Sequence, residues 1–113
     1  MDCLFCNIVA GKMNTSFIYE DDQVVAFNDI APKAPQHVLI IPRKHIATIN
    51  DITETDNLLL AHLIQTAKTL AKKLAIDESG YRLLFNCNPN GGQMVYHLHL
   101  HLLGGRKLNW PPG

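Results

Sequence analysis

The chain has no charge imbalance: Lys plus Arg and Asp plus Glu each total 10 over 113 residues, so the formal net charge is zero. Without a basic excess or a block of like charge, no surface for nucleic acid is expected. No apolar run approaches the ~20 residues that span a bilayer, so no membrane partner is expected either. The start, MDCLFCNIVAGK, has an early acid, no basic region and a short apolar stretch, unlike a secretory signal. Cysteines number only three, Cys3, Cys6 and Cys87. That is too few, and odd, for a disulfide scaffold, which predicts a reducing, cytoplasmic location. No repeat, low-complexity tract or Pro/Gly/Ser linker divides the sequence, so a single domain over residues 1–113 is expected. What is present is 47% apolar composition, enough for a core.

The pattern along the chain predicts an α+β fold. CLFCNIVA followed by Gly11 reads as a short N-terminal helix with a glycine cap. Residues 17–20 and 24–27 read as strands joined by the tight Asp21-Asp22 turn. Pro32 and Pro35 make 29–36 a loop, and the β-branched run 37–41 is a strand stopped by Pro42. Thr53 to Asp56 resembles a capping box. From there to Ala75, Leu59, Leu63, Leu70 and Leu74 recur at helical spacing, with Lys72 and Lys73 suiting the C-terminal dipole. Residues 81–86 and 95–103 complete the strands, around a loop at 88–92. Strands clustered about one long helix suggest an antiparallel sheet. His62 reads as helix surface and Cys87 as core.

Half of the six histidines stand in HLHLHLL, residues 97–103. In a strand, side chains alternate faces, so His97, His99 and His101 share one face, about 6.6 Å apart along the chain. Leu98, Leu100 and Leu102 take the other face, beneath the long helix. Alternation alone asks only for polar residues; Thr, Lys or Glu would serve. Histidine adds a mostly neutral nitrogen nucleophile that exchanges protons near pH 7. Two chemistries fit: a metal held by histidines two apart, or an imidazole that attacks a phosphorus or carbonyl centre beside a second one handling protons. Asn90-Gly91-Gly92-Gln93, just before the strand, offers glycine backbone N–H groups for an anion, although a hairpin turn would also use glycines.

HLHLHLL resembles the His-φ-His-φ-His-φ-φ signature of the histidine triad (HIT) family, φ being apolar. GYRLLFNCNPNGGQMVYHLHLHLLGGR, FNDIAPKAPQHVLIIPRKHI and the terminal NWPPG are similar to its Hint branch of nucleoside phosphoramidases. The resemblance spans nearly the whole chain. It implies a five-stranded antiparallel sheet with one long helix and a short N-terminal helix, in a homodimer. The implied activity is hydrolysis of purine nucleoside phosphoramidates, or aminoacyl-adenylate-like substrates, releasing AMP or GMP. His99 would attack the α-phosphorus and carry the nucleotide covalently until water releases it. His37 would support that arrangement, and His101 would bond the phosphate oxygens or the bridging position. Asp29 would bind both ribose hydroxyls. Phe5, Ile8, Phe27, Ile30 and Leu39 would enclose the purine, with Asn28, where relatives often carry histidine, near base or ribose. Asn86 and the Gly92, Gln93, Met94 and Val95 backbone would hold the phosphate, and Trp110 would anchor the tail near the partner's site. No cofactor is needed for this chemistry. Dinucleoside polyphosphate hydrolysis, nucleotidyl transfer, or nucleotide binding with negligible turnover are the alternatives.

Met94 departs from the pattern, because relatives commonly place Ser or Thr there and methionine cannot donate a proton. Cys3-x-x-Cys6 has a spacing used by zinc and redox motifs, and two buried cysteines would explain it as well. Cysteine-bearing members of the family complete a tetrahedral site with two histidines. The matching residues here are His45 and His97, which implies structural zinc on Cys3, Cys6, His45 and His97.

Overall fold

The computed structural model describes residues 3–113. Helix α1 spans Leu4–Val9, capped by Cys3, whose sulfur accepts the Cys6 N–H at 3.3 Å. Gly11 ends it at φ +79°, its N–H on the Ile8 carbonyl and that of Lys12 on Asn7. Glycine adopts this left-handed geometry without strain. The strands are β1 (Tyr19–Glu20), β2 (Val24–Asn28), β3 (Gln36–Pro42), β4 (Tyr81–Leu84) and β5 (Leu100–Gly104), with α2 (Asn57–Lys73) between β3 and β4. They form one sheet in the order β1-β2-β3-β5-β4, every pair antiparallel. This is the α+β architecture that the sequence predicts.

Period-two alternation in β2 and β3 builds a core on each side of the sheet. Val24, Ala26, Val38 and Ile40, with Leu98, Leu100 and Leu102, pack against Leu63, Ala67, Leu70 and Ala71 of α2. Val25, Phe27, Leu39 and Ile41 pack on the opposite face with Cys3, Phe5 and Ile8. Among the described residues no helix is long and apolar enough to cross a membrane.

Four elements differ in extent from expectation. The helix read from 53 to 75 begins as a 3-10 turn over Glu54–Asp56 and is α-helical only from Asn57. There Asp56 bends its carboxylate back to the Thr53 N–H, at 3.0 Å, and takes Lys44 Nζ at 2.7 Å. Ala75 ends the helix at φ +60°. Strands β1 and β4 are shorter than the runs 17–20 and 81–86. The largest change is in β5, which begins at Leu100 and not at 95: its pairing with β3 starts at Ile40↔Leu100. Beyond that point β3 ends in Pro42, which has no N–H to extend a ladder. The Pro42 carbonyl instead takes the His97 ring, at Nε2, 2.8 Å away.

His62 is not simple helix surface. It is half-buried, and its Nε2 lies 2.6 Å from Asp21 Oδ2, which also accepts the Tyr19 hydroxyl at 2.7 Å. Burial alone would raise the Asp21 carboxyl, but bonds from Tyr19, Gln23, His62 and Val24 outweigh it and hold that pKa well below the carboxylate range. This cluster ties α2 to the β1–β2 turn.

Candidate active site

The extended segment 97–101 runs beneath α1, whose Phe5 ring sits 6.0 Å from the His97 ring and 5.1 Å from that of His99. The alternation read from HLHLHLL survives although only His101 lies within the strand. The leucines face α2 and the histidines face α1. The three imidazoles then part company. His97 turns into a buried Cys/His cluster, whereas His99 and His101 face a cavity of about 590 Å³. Phe5, Ile8, Phe27 and Leu39 give it an apolar wall, and Asn28, Asp29, Ile30 and His37 form one side. Asn86, Gly92, Met94 and Val95 form the other.

Hydrogen bonds fix which nitrogens carry protons. His99 Nδ1 lies 2.7 Å from the His97 carbonyl, which only accepts, so Nδ1 holds the proton and Nε2 keeps its lone pair. His37 Nδ1 accepts the Lys33 N–H at 3.0 Å, so the neutral ring is protonated at Nε2. That Nε2 donates to His101 Nδ1 at 2.9 Å, with Asp29 Oδ2 at 3.5 Å. His101 is thereby left protonated at Nε2, a buried atom with no partner among the described residues. Its N–H is a donor awaiting an acceptor. Burial keeps all three rings neutral: it lowers His37 and His99 below the ordinary 6.5, and burial plus neighbouring His99 and His37 takes His101 to about 4.

On the far side of His99, Cys3, Cys6, His45 and His97 bring four donor atoms within 4.8 Å of one another. His97 Nδ1 is 3.5 Å from each sulfur and 3.2 Å from His45 Nδ1, and Cys6 Sγ is 3.3 Å from His45 Nδ1. Zinc–sulfur and zinc–nitrogen bonds of about 2.3 and 2.0–2.1 Å place nitrogen–nitrogen and nitrogen–sulfur pairs of a tetrahedral site about 3.3–3.6 Å apart, close to these values. His97 donates Nε2–H to Pro42, leaving Nδ1 bare, as a metal ligand with a carbonyl behind it requires. Burial and Cys3 raise the Cys6 thiol, a proton that a metal would displace. The residues fit the ion.

The model of the HIT domain matches residues 10–108. The chain belongs to the HIT family. It is 47% identical to an uncharacterized HIT-like protein of Synechococcus elongatus over 99% of this chain and 97% of that one. Among solved structures, a HIT family hydrolase from Legionella pneumophila Philadelphia 1 superposes with a TM-score of 0.97 at 55% identity, covering 99% of this chain and 100% of that one. A histidine triad nucleotide-binding protein from Candida albicans gives 0.83 at 33%, covering 97% and 83%. The fold is that of HIT family hydrolases.

Within this HIT fold, every residue assigned to catalysis or substrate from sequence lines the cavity except Gln93 and Trp110. Gln93 is buried, its amide bonded to the Ala47 and Val95 carbonyls and to the Asn88 N–H, so it braces the loop. Trp110 is 82% exposed, outside the cavity. The glycine loop also works differently from expectation. The Gly91 and Gly92 N–H groups are spent on Asn88 and Pro89, and that of Gln93 on Asn88. Among the described residues, the N–H groups of Met94 and Val95, which line the cavity, have no protein acceptor. Leu4, Met13, Thr15, Ala31 and Lys33 also line the cavity and were missed. Lys33 matters through its backbone N–H, which no residue pattern announces.

Proposed function

We propose that this HIT protein is a purine nucleoside phosphoramidate hydrolase of the Hint branch. The observation that carries the reading is the His99 ring, held by a carbonyl at Nδ1 with its bare Nε2 on the wall of a largely apolar cavity. The purine would lie among Phe5, Ile8, Phe27, Ile30 and Leu39, and the ribose hydroxyls would bond Asp29, whose Oδ1 already accepts the Ala31 N–H at 2.8 Å. His99 Nε2 attacks the α-phosphorus, the phosphorus–nitrogen bond breaks, and the departing nitrogen takes a proton from solvent and leaves as the amine. The positive charge on the adenylylated imidazole is met by the His97 carbonyl at Nδ1–H. His101 Nε2–H, oriented through His37, donates to the phosphoryl oxygens as their charge grows. Met94 and Val95 N–H groups and Asn86 complete that cradle. Water then attacks the phosphorus, loses a proton, and returns the electron pair to His99 as AMP departs.

Zinc on Cys3, Cys6, His45 and His97 would be structural, with four protein ligands and no open position. The likeness to the Legionella hydrolase supports hydrolysis, and the name of the Candida relative supports a nucleotide partner. A homodimer is part of the reading: among the described residues β4 bonds only β5 and leaves an open edge, and α2 exposes Leu58 and Ile64. Three free cysteines suit a cytoplasmic protein. One observation favours a second reading, nucleotide binding with negligible turnover: Met94, 89% exposed at the phosphate end, offers no hydroxyl. Incubation with an adenosine phosphoramidate and measurement of released AMP separates the two. Release above the uncatalysed rate supports the hydrolase, and AMP binding without release supports the second reading.

A further inference from the structure

We infer that the Cys3–Cys6–His45–His97 cluster, when it holds its metal, positions the nucleophile by immobilising the one peptide unit whose carbonyl orients His99. The inference rests on the reading of His99 as nucleophile and extends it to what keeps that ring aligned. Among the described residues, the His99 ring has one hydrogen-bond partner, the His97 carbonyl, 2.7 Å from Nδ1. That bond fixes the flip and tautomer of the ring, and so the nitrogen left bare, within the packing of the Phe5 and His101 rings at 5.1 and 4.9 Å. The 97–98 peptide has no place in the sheet ladder, which starts only at Leu100. Its N–H end is held by the Ile46 carbonyl, at 2.6 Å from Leu98 N. Ile46 follows His45, and the carbonyl end of the same peptide belongs to His97. Both ends of this hydrogen-bonded bracket thus abut cluster ligands, whose Nδ1 atoms are 3.2 Å apart.

The chemistry of the donors says what closes the bracket. His97 Nδ1 is bare, because its other nitrogen donates to the Pro42 carbonyl. It faces two sulfurs and a second imidazole, and thiols are weak donors. A cation among the four replaces those weak contacts with bonds to both histidines, and so locks segments 45–46 and 97–98 together. His97 is then a positioning residue with two working ends: its ring on the metal and its carbonyl on the nucleophile. A metal that merely stapled α1 to the sheet would reach the His99 ring only through the packing of Phe5, 5.1 Å away, and would leave its Nδ1–H tautomer unchanged on removal.

The test is long-range proton–nitrogen spectroscopy of the imidazoles in full-length, nitrogen-15-labelled protein. It compares the zinc-loaded protein with the same sample stripped by chelator and then reloaded with zinc. The expected result is a single His99 tautomer, protonated at Nδ1, that becomes a mixed or broadened signal on stripping and returns with zinc. In parallel, the rate of nucleotide transfer to His99 should fall by about tenfold or more, the scale of outer-shell losses around metals, while AMP binding is kept. Cys6→Ser, which leaves His45 and His97 in place, should reproduce the stripped spectrum. An unchanged His99 signal after confirmed zinc loss would overturn the inference. So would unfolding of the whole chain on stripping, or protein that never takes up zinc. The spectra need no turnover: a metal-dependent His99 signal in a protein that hydrolyses nothing keeps this inference and sinks the hydrolase. Equal adenylylation with and without metal does the reverse.

Discussion

His99 owes its free Nε2 to a carbonyl two residues earlier in its own chain, and His101 owes its donor N–H to a loop amide relayed through His37. Both arrangements require neutral rings, and burial supplies them. These histidines are neutral in the fold yet take protons in the unfolded chain below the ordinary 6.5, so the unfolded state binds more protons there. Their contribution to stability is whole above pH 6.5 and is lost as pH falls towards about 4, the folded value of His101. Thermal unfolding followed from pH 7 to pH 4 should show Tm declining over that window. Turnover should likewise persist below 6.5, and a kcat profile centred on 6.5 would mean that the nucleophile is not shielded. Met94 gives a second prediction at this scale. A hydroxyl there would add one hydrogen bond, about 0.5–1.5 kcal/mol, so Met94→Ser should raise kcat roughly two- to ten-fold for poorly leaving amines. An unchanged kcat across a series of amines would remove position 94 from leaving-group departure. The triad and the cavity wall were legible in the sequence because their chemistry lies in side chains. The loop donors were not: Gly91 and Gly92 looked available, but a 3-10 turn consumes their N–H groups, leaving Met94 and Val95.

Among the elements, α2 could be read directly, since Leu63 and Leu70 recur on one face and are fully buried against the sheet. The start of β5 could not. HLHLHLL alternates whether an extended segment is held by a ladder or by other bonds, and at 97–99 two imidazole bonds and one backbone bond outside the ladder, Leu98 N–H to Ile46, hold it. His62 was misread because its partner, Asp21, is 41 residues away in a turn that the sequence marks only as acidic. That pair joins α2 to the β1–β2 turn, far from the cavity residues. His62→Ala should therefore lower stability by about 1 kcal/mol, the scale of one lost hydrogen bond, and leave turnover unchanged. A urea titration beside an activity assay checks both halves, and a loss of activity at full stability would contradict this role.

For the whole molecule, the proposed homodimer would have the second copy cover the open β4 edge and the apolar residues exposed on α2. Trp110 is exposed beyond the cavity, and the tail is tied to β4 by Arg82 Nη2 on the Asn109 carbonyl at 2.8 Å. Light scattering should give the mass of a dimer, and removal of residues 108–113 should alter preference among amines more than it alters folding. A monomer would contradict the dimer. The claim on which the rest depends is chemical, and one measurement reaches it most directly. Protein quenched in acid-free denaturant during turnover of an adenosine phosphoramidate, then digested and weighed by mass spectrometry, should carry adenylate on His99 alone. The adduct should vanish in His99→Asn, which still binds AMP. Adenylate on another residue, or steady AMP release with no adduct on His99, would contradict it.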